Sequence, residues 1–190
     1  MKFDPKSYKS VDGWCNFEDI YYKMVDIHND ATFVEVGSWK GQSSILMATL
    51  IANLNKNIKF YCVDTWDGSE EHSKDDSIVN KSLFDIFISN TKPYSEYLTP
   101  IRKPSVNASK DFKDESLDFV FIDAAHDYEN VKNDINAWYP KVKKGGTIAG
   151  HDYHPDWSGV MNAVNEWSSI NTRYIDISRT SWIHFKSSSG

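Results

Sequence analysis

Four stretches of this 190-residue chain bring acids and imidazoles to the ends of short apolar runs: Glu35-x-Gly37-Ser38-x-x-Gly41, Asp64, Asp123-x-x-His126 and His151-Asp152. In an open sheet of parallel strands, ligands bind beyond the carboxyl ends of the strands, so these residues converge on one rim if the runs are such strands. Glu35, an acid at a strand end, suits a ligand with a positive ammonium group. Gly37 has no Cβ and lets a ligand approach the backbone, while Gly37 and Gly41 permit a tight turn. Ser43-Ser44 then open a helix whose first N–H groups face a negative group. Asp64, one helix and one strand later, is placed to accept hydrogen bonds from a ribose diol; an N-cap role is open to the same residue. Asp123 and Asp152, with His151 beside them, resemble a divalent-metal site of the kind Mg2+ occupies through oxygen ligands. His126 can reach back to the same pocket, and an imidazole near neutrality can take a proton. For Asp123 a helix cap, and for His126 a structural place, remain the alternatives.

The elements that must position these residues follow from the apolar pattern. A helix is expected from Phe17 to about His28, capped by Asn16, and a buried strand over Phe33 to Val36. Ile45 to Ile51 reads as the next helix and Lys59 to Val63 as the next strand. Val79 to about Asn90 is an amphipathic helix stopped by Pro93, and Leu98 to Pro104 is a third strand. The run from Leu117 is apolar on both faces and therefore central; Glu129 to Tyr139 is helical; Thr147 to Gly150 is the fifth strand, and Val160 to Ile170 the next helix. Tyr174–Ile177 and Trp182–Phe185 form a hairpin across Ser178 to Ser181. Such alternation demands an α/β, doubly wound, mostly parallel sheet with helices on both faces and a C-terminal antiparallel hairpin. One domain, 1–190, is expected, with 1–14 a loosely held arm, the polar stretch 66–80 an active-site loop, and a fraying C-terminal tail.

Composition narrows the function classes. A net charge of −6 argues against broad nucleic-acid binding, and Lys141, Lys143 and Lys144 are expected at a helix end, where cations suit the dipole. No apolar run approaches the length that spans a bilayer, and the first residues carry no secretory pattern. Cys15 and Cys62 read as reduced thiols, so a cytoplasmic protein with no membrane partner is expected. Seven Trp and ten Tyr supply aromatic surface, of which Trp14, Trp66 and Trp157 suit a sugar face or an aromatic ring. The arm and the exposed aromatics permit a homo-oligomer.

The Glu-x-Gly-Ser-x-x-Gly turn lacks the G-x-G-x-x-G of a dinucleotide site, which disfavours an NAD-dependent reductase. It resembles motif I of the class I S-adenosylmethionine-dependent methyltransferases, a Rossmann-like fold with strand order 3-2-1-4-5-7-6. D-x-x-H after strand four, with the place of an acid pair after strand five, is similar to the metal-dependent sugar O-methyltransferases related to macrocin O-methyltransferase. That resemblance implies S-adenosylmethionine held by Glu35, Gly37, Ser38, Gly41, Ser43, Asp64, Thr65, Ser105 and Asp123, with Ser105 or Ala108 beside the adenine. It implies a divalent metal, Mg2+ or another, on Asp123, Asp152 and His151, with the metal holding the hydroxyls of a small-molecule acceptor. It implies catalysis by His126, as general base, and Asp123. His151 departs from the family, which carries an acid there; either a histidine ligand shifts preference toward Mn2+, Fe2+ or Zn2+, or His151 is not a ligand at all. The rival expectations are a cephalosporin hydroxylase-like enzyme and a non-catalytic cofactor-binding protein on the same scaffold.

Overall fold

A computed structural model of the chain describes residues 2–68, 75–80, 82–170 and 172–187. Seven strands form one sheet in the order β3-β2-β1-β4-β5-β7-β6, with β1 Asp30–Val36, β2 Asn57–Asp64, β3 Thr99–Arg102, β4 Leu117–Ile122, β5 Val142–Gly150, β6 Asp176–Ser178 and β7 Ser181–Phe185. The first five are parallel, and β7 runs antiparallel to both β5 and β6. The helices are α1 Glu18–Ile27, α2 Gln42–Asn53, α3 Asp76–Val79, α4 Leu83–Thr91, α5 Ser105–Ala108, α6 Tyr128–Trp138 and α7 Ser158–Ile170. The strand order is the one that the resemblance implied.

Side chains alternate across the sheet and build two cores. Phe33, Phe60, Phe119 and Phe121 face α1, α2 and α4, where Tyr21, Met24, Met47, Ile51 and Phe87 cover them. Val34, Val36, Val63, Val120 and Ile122 face the opposite way, toward Ala108 of α5, Val131, Ile135 and Trp138 of α6, and Val160 and Val164 of α7. With both faces covered, the central strands need the continuous apolar runs that the sequence displays.

Several boundaries differ from expectation, each for a local reason. The helix expected from Val79 is two: Asp75 caps α3 by accepting from the Ser77 N–H at 2.8 Å, and α4 begins at Leu83. Gly145 and Gly146 lie inside β5, where the pairing jumps from Leu117↔Val142 to Phe119↔Thr147; glycines tolerate such an irregularity. Lys143 and Lys144 are therefore strand residues, and Lys143 pairs with Asp118 at 2.9 Å. The hairpin turn is two residues long, because Ser178 pairs with Ser181 and Arg179 takes φ +54. The arm is packed rather than loose: Asn53 accepts from the N–H groups of Lys2 and Phe3, Phe3 meets Tyr94 with ring centroids 4.5 Å apart, and Tyr8 is buried. Of the expected loop 66–80, residues 69–74 lie outside the described residues, as does the tail from 188. Among the described residues, no helix is long and apolar enough to cross a membrane, and both cysteines are free thiols.

Candidate active site

A cavity of about 1270 Å³ opens at the carboxyl ends of β1, β2, β4 and β5. Gly37, Ser38, Ser43, Asp64, Thr65, Ser105, Asp123, His126, His151 and Asp152 all line it. The strand ends converge because neighbouring parallel strands stop in register: Val36 pairs with Val63 and Ile122, and Ile122 with Gly150.

Glu35 and Gly41 do not line the cavity, which corrects two expectations. Glu35 has the parity of Phe33 and so points into the core beneath α1 and α2. It is 1% exposed, and its carboxylate accepts from the hydroxyls of Tyr21 at 2.8 Å, Ser38 at 2.8 Å and Ser44. Burial pushes its pKa up against the pull of those hydroxyls. The acid ties α1, the turn and α2 together; it does not face a ligand. Gly41 takes φ +95 as the residue before α2, and a Cβ there would meet Thr91 and Phe87 behind the turn. Gly37, at φ +90, lines the cavity, but the room left by its missing Cβ is filled by the Asp123 carbonyl, 1.9 Å from where that Cβ would lie. Its smallness lets two strand ends close on each other.

Asp64 holds the floor of the turn. Its Oδ2 accepts from the N–H groups of Ser38 at 2.9 Å and Trp39 at 3.0 Å, and Oδ1 accepts from the N–H of Trp66 at 2.7 Å. A carboxylate has about four lone-pair sites, so Oδ1 keeps capacity for a further donor such as a ribose hydroxyl. Burial pushes its pKa up, and the backbone donors pull it back. Trp66, expected at the substrate, is instead 2% exposed between Phe84 and Phe87, and its Nε1–H donates to the Trp39 carbonyl at 2.9 Å.

Asp123, His126 and Asp152 each offer a ligand atom, and these atoms lie within 4.8 Å of one another. His126 Nε2 is 2.9 Å from Asp152 Oδ2, and the His126 ring lies against Trp157 with centroids 4.1 Å apart. Asp152 adopts φ +59, a left-handed conformation in which Asp is among the few tolerated residues. The N-cap of α6 is Asp127, which accepts from the Asn130 N–H at 3.1 Å, so Asp123 is not spent on capping.

His151 is not one of the three residues whose ligand atoms cluster within 4.8 Å, and it is held from both sides of its ring. Its Nδ1 lies 3.2 Å from Asp152 Oδ2 and 3.6 Å from Asp123 Oδ1, while Nε2 lies 2.8 Å from Asn16 Oδ1 and 3.0 Å from the Thr180 hydroxyl. Burial works to lower its pKa, but the bonds to Asp123 and Asp152 prevail and push it up to about 10. Asp152 in turn is held well below the usual carboxylate range: the bonds from His126 and His151 outweigh its burial.

Three further residues contribute to the site. Asn16, expected to cap α1, reaches His151 instead. Gln42, the first residue of α2, clamps the arm over the turn, accepting from the Cys15 N–H at 2.9 Å and donating to the Val11 carbonyl at 2.6 Å. Asp134, on the inner face of α6, lines the cavity. Only Asp134 left a trace in the sequence, as an acid in phase with Val131, Ile135 and Trp138.

Residues 34–153 match a family model described as a methyltransferase domain. The chain is 34% identical over 151 residues to an uncharacterized protein of Acanthamoeba polyphaga mimivirus, covering 73% of this chain and 59% of that protein. It spans 16% of another curated relative, an uncharacterized protein of Sinorhizobium fredii. Among solved structures it is similar to the O-methyltransferase NovP, with TM-score 0.67, 18% identity, and 90% and 79% of the two chains covered. It is also similar to CalS11, a TDP-rhamnose 3'-O-methyltransferase of calicheamicin biosynthesis, with TM-score 0.62, 13% identity, and 89% and 76% covered.

Proposed function

The chain belongs to the methyltransferase domain family, and from that premise we propose that it is a metal-assisted O-methyltransferase acting on a sugar or another small hydroxylated acceptor. The observation that carries this reading is the Asp123, His126 and Asp152 cluster on the rim that the glycine turn shares. Two carboxylates and an imidazole within 4.8 Å fit a divalent cation. Asp123 and Asp152 are the residues that would hold it, and Mg2+ or Mn2+ suits such oxygen donors. The names of NovP and CalS11 support an oxygen acceptor, and that of CalS11 a sugar.

S-adenosylmethionine, when bound, supplies an electrophilic methyl on a sulfonium, and a divalent cation supplies Lewis-acid polarisation of the acceptor hydroxyls. The remaining work falls to the chain. Asp64 anchors the ribose through Oδ1, and Ser38, Ser43 and Thr65 line the cofactor's side of the cavity. His126, whose Nε2 lies 2.9 Å from Asp152 Oδ2, is the imidazole placed to take the acceptor proton. Trp157, packed on the imidazole, fixes the ring plane. The arm residues Trp14 and Asn16, with His154 and Trp157, surround the acceptor side and exclude water. The free thiols agree with a cytoplasmic setting.

Calorimetry with S-adenosylhomocysteine, with and without Mg2+ or Mn2+, tests the cofactor; turnover with sugar hydroxyls before and after chelation tests the metal. Expected are cofactor binding that does not need the ion and turnover that does, with Asp152→Asn abolishing the rescue by added metal. No binding of S-adenosylhomocysteine would sink the reading, and turnover indifferent to chelator would remove the metal from it.

A further inference from the structure

The inner face of α6 is Val131, Asp134, Ile135 and Trp138, three apolar residues and one acid. Asp134 is 6% exposed, and burial pushes its pKa up to about 6. Among the described residues, the donor near enough to pull that pKa back is the Ser105 hydroxyl. Ser105 Oγ itself receives the Trp138 Nε1–H at 2.9 Å, so its own hydrogen is free to go to Asp134. One donor leaves most of a buried carboxylate's acceptor capacity unused, a costly arrangement on a helix face that otherwise packs hydrocarbon. The acid also lines the cavity, so a ligand can supply what the protein does not.

Its position limits which part of the ligand that is. Asp134 is seven residues beyond the Asp127 cap, about 10 Å further along α6 at 1.5 Å per residue. It therefore stands away from the acid and histidine cluster, at the end lined by Pro104, Ser105 and Val106. A nucleoside with its 5' sulfur toward Asp123 and its ribose on Asp64 extends its base to this end. We propose that Asp134 is the residue that reads the cofactor's base, accepting a hydrogen bond from the exocyclic amine of adenine and rejecting a 6-oxo purine. This rests on the reading of the cavity as an S-adenosylmethionine site. A 6-oxo base would set an acceptor against the carboxylate and leave it unpaired, a loss that corresponds to about 10- to 100-fold in affinity.

The test compares the binding of S-adenosylhomocysteine, S-inosylhomocysteine and the analogue lacking the 6-amino group, by calorimetry on the full chain. The wild-type protein should prefer the adenosyl compound by about 10- to 100-fold over each of the other two. Asp134→Asn, whose amide can turn its NH2 toward O6, should bring the adenosyl-to-inosyl ratio to about one or below. Ser105→Ala, which leaves the carboxylate in place, should keep most of the preference. The two ligand-side comparisons on wild-type protein hold even if a variant folds poorly. A wild-type ratio near one, an unchanged ratio in Asp134→Asn, or a preference lost only in Ser105→Ala would overturn the assignment while leaving the cofactor reading intact. Wild-type protein that binds none of the three compounds would overturn both.

Discussion

The side-chain oxygen of Asn16 lies 2.8 Å from Nε2 of His151, joining residues 135 positions apart. On the far side of the same ring, Nδ1 faces Asp152 and Asp123. The segment before α1 is thereby fastened, through one buried cation, to the acids at the reactive end of the cavity. Asn16→Ala should cost about 1.5–3 kcal/mol of stability, the range for a hydrogen bond to a charged group. It should lower kcat for methyl transfer more than it weakens S-adenosylhomocysteine. Urea melts and steady-state kinetics check both, and a fully stable variant with normal kcat would show that the link is incidental.

His126→Ala should keep cofactor affinity within about threefold while methyl transfer falls by about 10²- to 10⁴-fold, the usual contribution of a general base. Direct titration with Mn2+ separates two roles for this residue. A base leaves metal affinity nearly unchanged when removed, whereas a ligand does not. Retained turnover would take His126 out of the proton-transfer step.

Asp134 makes stability depend on pH. The unfolded chain loses this proton near the ordinary aspartate value of 3.8, and the folded chain near 6, because burial raises it and the charge of Asp127 adds to the effect. Between those values the folded state binds the extra proton, so the contribution of Asp134 to stability falls as pH rises from about 4 to about 6 and is level above. At 1.36 kcal/mol per pH unit the whole effect is about 3 kcal/mol. Asp134→Asn should flatten that part of the stability profile, measured by urea melts across pH 4 to 7. Wild-type and Asp134→Asn profiles that run parallel through this window would contradict the assignment.

Gly37 and Gly41 should respond unequally to alanine. Both have φ above +90° or at it, so each substitution carries the left-handed strain of about 1–2 kcal/mol. At Gly41 the added Cβ meets side-chain atoms of Thr91 at 2.9 Å and Phe87 at 3.2 Å, which can shift. At Gly37 it meets the Asp123 backbone carbonyl at 1.9 Å, which cannot move without parting β1 from β4. Gly37→Ala should therefore lower Tm well beyond Gly41→Ala; equal losses would mean that the strand ends separate easily.

Much of the architecture was legible in the chain because it depends on short-range pattern. Apolar runs of strand length alternating with helical periodicity set the parallel sheet, and the closely spaced last two strands set the hairpin. The same pattern placed Asp64, Asp123, His126, His151 and Asp152 at strand ends, and those ends meet at one cavity because parallel neighbours stop in register. What each side chain does once there depended on contacts that no local pattern carries. Glu35 and Asp64 are both acids at strand ends. Glu35 has the parity of Phe33 and is taken up by three hydroxyls, whereas Asp64 faces the turn. His151 is held at Nδ1 by Asp123 and Asp152 and at Nε2 by Asn16 and Thr180, which are distant in sequence. Asp134 gained a view of the cavity only when α6 packed beside α5. Periodicity fixes which face a residue joins, but the protonation and reach of a polar group depend on partners that meet only when the chain has folded.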